Sequence, residues 1–554
     1  MTVGGTLKRY RLLSALAMGL GIASLCALPF TSPILNSNHL FLYHTQGNPT
    51  PVVGAVLLGV LLLWAIFASY CALATFVRPT LGRVLWLLLF SFLLGLATVI
   101  ASFQLDIHVR GVYLYAPLLS LVALLTWLAV LGRNPARFDS LVRASQTVLV
   151  FIGMFGVFTL AQILYVIHGS WNLNPPPRLA DATTTASGSA SQAGNPSRAG
   201  NAARPRVIWI LLDELSYQQV YGNRAVDLHL PAFDSLAHES VVFTDARPVG
   251  YSTDRIVPSL MTGQPVADIR SGLDGQLWIQ PRSQSSWQRF QPENTIFSDA
   301  RRQAFHIGIA GWYNPYCRIL PRLLSECVCT AREFGEKWWN PNQAILPAAR
   351  LLFTHLVLKT ATYAHPQRTR SFVEMPSREA DYDQLLSVAD SMLRDPTLNL
   401  VFLHLPLPHP PGFYDRHTGA FTHTGTYLDN LVLADKTLAH LHDVLARQGQ
   451  WDNSTIVLMG DHSWRVNLWK ASPGWTAEEE HASSGVFDDR PAYIVKLPNQ
   501  HTGTTIDSSY DALRTRDLFD HLFTGEITTP ERLATWAGAP ASTTPAPSDP
   551  RLAR

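Results

Sequence analysis

Four short segments of this chain concentrate residue types that do chemistry. Asp213-Glu214 closes the apolar run Val207–Leu212. Tyr251-Ser252-Thr253-Asp254 leads into Ile256-Val257-Pro258-Ser259-Leu260-Met261-Thr262-Gly263. The run Leu400–Leu403 is followed by His404-Leu405-Pro406-Leu407-Pro408-His409-Pro410-Pro411, and the run Thr455–Met459 by Gly460-Asp461-His462-Ser463. Carboxylates and imidazoles that converge suit a divalent metal ion. A metal beside a hydroxyl lowers its pKa and makes it a nucleophile. Singly, each group has a plainer explanation: an Asp after a strand is often a helix N-cap, and a lone His usually sits satisfied in a core or on a surface. Their shared placement at the ends of apolar runs is what points to a site.

Those runs are short, rich in β-branched residues and apolar throughout, as suits strands buried on both faces of a parallel sheet. Between two of them, Tyr427–Arg447 carries Leu at 428, 431, 438 and 441, the spacing of an amphipathic helix. The expected layout is α/β with helices on both faces. In such sheets ligands bind beyond the carboxyl ends of the strands, where three of the four polar segments fall.

The whole chain has 554 residues, 47% apolar and 15% charged, with a formal net charge of +2. The length suggests more than one domain. The near-neutral charge gives no support for nucleic-acid binding. Five cysteines exclude a small disulfide-stapled scaffold, and the apolar content excludes whole-chain disorder. Apolar residues crowd into the first third. Five uncharged stretches there, about Leu12–Ser32, Val52–Phe76, Val84–Phe103, Val112–Leu131 and Thr147–Ile167, each reach the ~20 residues that cross a bilayer. The first lacks a small-x-small cleavage site and reads as an anchor rather than a removed signal. Lys8, Arg9, Arg11, Arg78, Arg83, Arg133, Arg137 and Arg143 lie in alternate connections. The positive-inside rule then makes the N-terminus cytoplasmic and everything after Ile167 extracytoplasmic. No Asp, Glu, Lys or Arg lies within a span, which argues against transport. The helices are expected to anchor the chain, with presentation of a lipid-carried substrate as a second role. Residues 172–205, opened by Pro175-Pro176-Pro177 and rich in Ala, Ser, Thr and Gly, read as a flexible linker. The expected order is a membrane domain at 1–171, the linker at 172–205, a catalytic domain at 206–537 and a disordered tail at 538–554.

Taken in order, four motifs resemble the alkaline phosphatase/sulfatase superfamily over about 206–525. They are Val207–Glu214, Thr253–Gly263, Trp451–Ser463 and Asp489–Pro498. The resemblance implies an α/β/α sandwich of the alkaline-phosphatase type. It implies that Asp213, Thr253, Asp461 and His462 ligate one metal, with Glu214 joining or replacing Asp213, and that Thr253 is the nucleophile. His409 matches a family His that contacts the transferred group or its leaving oxygen. His404, His481 and Arg465 are candidates for substrate binding. The implied cofactor is one divalent ion, zinc or manganese before calcium or magnesium.

Two departures bear on the reaction. Sulfatases carry Cys or Ser at the nucleophile, followed by x-Pro-x-Arg, and convert it to formylglycine. Thr253, followed by Asp254-Arg255-Ile256-Val257, cannot undergo that conversion. Their Gly-Lys-Trp-His is matched here by Gly311-Trp312-Tyr313, without Lys or His. A Thr nucleophile, and five spans followed by a linker and an extracytoplasmic domain, resemble phosphoethanolamine transferases and lipoteichoic acid synthases. The expectation is a multi-pass protein of the inner (plasma) membrane with a periplasmic phospho-transferase or phosphodiesterase domain, acting on a membrane lipid or envelope glycan. The alternatives are a sulfatase-like ester hydrolase with an unmodified Thr and a non-catalytic envelope scaffold. In the same domain Cys317 has two candidate disulfide partners, Cys327 and Cys329, and the Cys-x-Cys spacing with one distant Cys leaves a metal as the other option.

Overall fold

A computed structural model describes residues 3–36, 38–39, 43, 50–104, 112–170, 206–330, 375–470, 474–483 and 487–538. The linker and the tail inferred from composition lie outside these residues. The chain divides into two compact units, an N-terminal helical unit and an α/β unit.

The helical unit holds α1 (Val3–Leu35), α2 (Thr50–Phe76), α3 (Pro79–Gln104), α4 (Val112–Arg133) and α5 (Pro135–Ser170). Four of them are long and apolar enough to cross a membrane; in α4 the described apolar stretch is shorter, Leu118–Ala129. Small residues let backbones approach closely: a Cβ on Gly19 would fall 2.4 Å from the Ala68 nitrogen, and one on Gly153 would fall 2.2 Å from the Ala17 carbonyl oxygen. Ala15, Met18, Ile22, Cys71, Trp86, Leu87, Phe138 and Leu149 form the buried seam. Ile66, Leu125 and Phe158 point outward, as suits helices solvated by lipid rather than water.

The α/β unit is built on an eight-stranded sheet. Its strands are β1 (Arg206–Leu212), β2 (Val241–Phe243), β3 (Ile307–Trp312), β4 (Glu326–Thr330), β5 (Leu400–Leu405), β6 (Ser454–Gly460), β7 (Tyr493–Lys496) and β8 (Thr504–Ile506). They lie in the order β8-β2-β7-β6-β1-β5-β3-β4. The run β6-β1-β5-β3-β4 is parallel, and β7 is antiparallel to both of its neighbours. β1 sits inside the sheet, with Leu212 paired to Gly460 on one side and to Leu405 on the other. The carboxyl ends of three strands therefore coincide, which is what brings the segments after them together. The expected strand at 400–403 continues to Leu405, so His404 lies within β5 and not after it.

Each sheet face is covered by helices. Ile208, Ile210 and Leu212 share a core with Val401, Leu403, Ile456 and Leu458, and with Leu385 and Met392 of α9 (Met375–Arg394) and Leu431, Leu438 and Leu441 of α10 (Tyr427–Ala446). A reciprocal capping box starts α10: Thr426 accepts from the Asp429 amide and Asp429 accepts from the Thr426 amide. On the opposite face Trp209 packs 4.3 Å from Phe402, ring to ring, and 4.9 Å from Phe519 of α11 (Thr515–Phe523). Phe297 of α7 (Ile296–Arg302) closes that cluster.

Candidate active site

Thr253 opens α6 (Thr253–Thr262), directly after Ser252 in extended conformation. Gly263, at φ 67°, ends the helix in the left-handed conformation that glycine adopts without penalty. Buried Thr253 Oγ1 donates to Asp461 Oδ2 at 2.7 Å and lies 3.3 Å from Asp213 Oδ2. The other Asp461 oxygen is held by the amides of Glu214 (3.0 Å) and His462 (2.8 Å), so its orientation is fixed.

His462 completes the group. Its Nδ1 lies 2.9 Å from the Ser463 carbonyl oxygen, which can only accept, so Nδ1 carries the proton. The Nε2 lone pair then faces two carboxylates, 3.4 Å from Asp461 and 3.7 Å from Asp213. Lone pairs facing one another in a dry pocket repel. His462 Nε2 and Asp213 Oδ1 are buried without a hydrogen-bond partner among the described residues. Burial, then the neighbouring Asp461 charge, pushes the Asp213 carboxyl well above its usual range. A divalent cation answers all three observations. Ligand atoms of Asp213, Asp461 and His462 lie within 4.8 Å of one another, and this donor set suits a divalent metal ion.

Glu214 stands apart from Thr253. It has φ 66°, strained for a residue with a side chain. Its carboxylate takes Arg465 Nε at 2.6 Å, the Arg465 amide at 3.2 Å, a second guanidinium nitrogen of Arg465, and Trp469 Nε1 at 2.9 and 3.0 Å. It also lies within reach of Asp213 and His409 as a second possible ligand group, but its oxygens are already occupied by donors. Asp213 is thus the acid at the hydroxyl, and Glu214 holds Arg465. Burial opposes the Arg465 charge, but Glu214, Asp213 and Asp461 together raise its pKa.

His409 lies between two guanidiniums, with Arg465 Nη2 3.1 Å from Nε2 and Arg378 Nη1 3.1 Å from Nδ1. Arg378 also donates to the carbonyls of His409 and Pro410, at 3.0 and 2.8 Å, and so fixes this loop. Burial, then Arg378 and Arg465, holds the His409 pKa well below its ordinary value. These surroundings favour the neutral ring. His404 is fully buried on the sheet face that carries Asp213. His481 is exposed, on the short helix Ala477–Ser483, and belongs to neither ligand group.

Several residues of this neighbourhood carried no local signal: Arg378 on α9, Trp469, and the pair Asn314 and Tyr316 after β3, the latter opening α8 (Tyr316–Ile319). The disulfide forms between Cys317 and Cys327, with Cys329 Sγ 3.1 Å from Cys317 Sγ.

The sulfatase family model matches residues 205–485. The chain belongs to the sulfatase family, within the alkaline phosphatase/sulfatase superfamily. Membership supports ester hydrolysis as the class of reaction. A comparison with curated proteins gives no match. Among solved structures, a phosphonate monoester hydrolase from Silicibacter pomeroyi shares 15% identity over 62% of this chain and 78% of its own, with a TM-score of 0.39. The Ps i-CgsB protein, solved with a neocarrahexaose, shares 16% over 60% and 74%, with a TM-score of 0.40. The PsFucS1 sulfatase from Pseudoalteromonas sp. shares 12% over 60% and 70%, with a TM-score of 0.37. At these scores the likenesses add nothing to the family assignment.

Proposed function

We propose that this protein is a membrane-anchored phospho-transferase or phosphodiesterase with Thr253 as nucleophile, acting outside the cytoplasm on a lipid- or glycan-linked phosphoester. The observation that carries the reading is the buried Thr253 hydroxyl donating to Asp461 beside Asp213 and His462. The five apolar helices and the cation-rich alternate loops support the placement.

Thr253 Oγ1 gives up its proton at Asp461 Oδ2 and attacks phosphorus. The bond from phosphorus to the leaving oxygen breaks, that oxygen departs as an alcohol with the proton held at Asp461, and the phosphoryl group stays on Thr253. A hydroxyl of the acceptor, water or a glycan, then gives its proton to Asp461 and attacks phosphorus, and the Thr253 oxygen leaves and takes that proton back. A divalent metal held by Asp213, Asp461, His462 and Thr253 would supply the Lewis acidity that makes the hydroxyl a nucleophile near neutral pH. With Glu214 committed to Arg465, the remaining donors favour zinc or manganese over calcium or magnesium. Arg465 also donates to the Tyr251 carbonyl at 3.2 Å, two residues before the nucleophile, and places positive charge beside the transferred group. His409 offers a neutral ring edge there.

Sulfate esters are the second reading, because the family is named for them. The test compares aryl phosphodiesters, phosphomonoesters and sulfates on the full chain supplied with zinc or manganese. The proposal expects kcat/KM on a phosphoester to exceed that on the sulfate by at least tenfold. A preference for sulfate would replace it with the second reading.

A further inference from the structure

Two buried histidines, His462 in the ligand group and His404 within β5, differ in what their Nδ1 atoms meet. His462 has its proton on Nδ1 because Nδ1 meets a carbonyl. The partner of His404 Nδ1 is instead the Tyr316 hydroxyl, at 2.6 Å. That hydroxyl accepts from Asn314 Nδ2 at 3.2 Å, and the Asn314 amide is oriented by the Tyr43 hydroxyl, which donates to Oδ1 at 2.9 Å. Tyr43 groups with the α/β unit, where Arg318 Nη2 donates to its carbonyl at 2.7 Å. All four side chains are at most 1% exposed. The Tyr316 hydroxyl has one proton to place, and of its two partners, Asn314 Nδ2 and His404 Nδ1, only Nδ1 can accept it. A neutral imidazole that accepts at Nδ1 carries its proton on Nε2.

Gly311 makes room for this. It pairs with His404 across the sheet, and a Cβ there would fall 2.2 Å from the Tyr316 ring. Burial keeps His404 uncharged, with a pKa lowered to about 4. Its Nε2 is buried without a hydrogen-bond partner among the described residues. A buried donor left without an acceptor is costly, and an N–H cannot ligate a metal.

We infer that Tyr43, Asn314 and Tyr316 are positioning residues that lock His404 as its Nε2–H tautomer, so that His404 hydrogen-bonds an anionic oxygen of the transferred group and does not ligate the metal. The inference rests on the phosphoester reading for its ligand but not for its tautomer. Tyr43 thereby makes a residue ahead of the second helix part of the catalytic unit.

The test is solid-state NMR of the full chain in lipid with 15N-labelled histidine, the His404 signals being identified by their loss in His404→Gln. The expected result is a protonated Nε2 and a bare Nδ1 at neutral pH, with a mixture of tautomers in Tyr316→Phe and Tyr43→Phe. Adding inorganic phosphate to the zinc-loaded protein should shift Nε2 and leave Nδ1 in place. A proton on Nδ1 would overturn the relay and make His404 a ligand, as would a tenfold loss of zinc affinity in His404→Gln. A protonated Nε2 that ignores phosphate, while phosphate shifts other signals, would overturn the oxyanion contact. Phosphate that moves no signal at all would overturn that contact together with the phosphoester reading and leave the tautomer assignment standing.

Discussion

Thr253 Oγ1 and Asp461 Oδ2 lie 2.7 Å apart although 208 residues separate them in the chain. The hydroxyl starts a helix and the carboxylate follows a strand, and the parallel pairing of β1 with β6 brings Asp213 and Asp461 to one edge. The hydroxyl and the carboxylate are thus held at the ends of two regular elements rather than by one loop. Asp461→Asn keeps the shape and removes the charge. It is expected to lower kcat by about 10²-fold or more, with near-normal thermal stability. Steady-state kinetics on a phosphodiester, beside a melting curve, checks this.

Arg465 and Glu214 form a buried pair, Glu214 being fully buried and the Arg465 side chain 20% exposed. Arg465→Ala leaves a carboxylate buried with only Trp469 as a donor from a side chain. Removing one member of such a pair costs roughly 3–5 kcal/mol. Denaturant unfolding of the full chain should show a loss of that order, and Arg465→Lys should recover part of it.

The neutral buried histidines predict acid sensitivity. His404 has a folded pKa of about 4 against an unfolded value of ~6.5, and His409 is also depressed. Between those values the unfolded chain binds more protons than the folded one, so stability falls as pH drops through that window. Each group contributes up to ~1.4 kcal/mol per pH unit. Melting curves from pH 7 to 4.5 should show the fall, and His404→Gln should flatten it.

Cys317 and Cys327 close a loop with a sequence separation of 10. In the chain-entropy account a bridge of that length contributes about 2–3 kcal/mol. Peptide mapping after alkylation at low pH should place the label on Cys329. Reductant should lower the melting temperature of the wild type and leave Cys317→Ser, which removes the partner that Cys327 and Cys329 could share, unchanged.

The residues that read clearly from the sequence are those with a local signature. Asp213, Asp461 and His462 each follow an all-apolar strand, and Thr253 precedes a short amphipathic segment closed by glycine. Asp213 and Glu214 could not be ranked, because the choice turns on a left-handed backbone at Glu214. Arg378 reaches His409 from 31 residues away on a helix with no distinctive pattern. Asn314 and Tyr316 look like ordinary turn residues until Gly311 and His404 are seen paired beside them. His481 shares its chain neighbourhood with the site but faces outward, which a linear sequence does not reveal.

The most direct measurement is mass spectrometry of the acid-quenched enzyme during turnover of a phosphodiester. The expected result is a phosphoryl-containing adduct on Thr253 that is absent from Thr253→Ala, together with loss of turnover in that variant. Full turnover by Thr253→Ala, with no adduct on the wild-type peptide, would contradict the account.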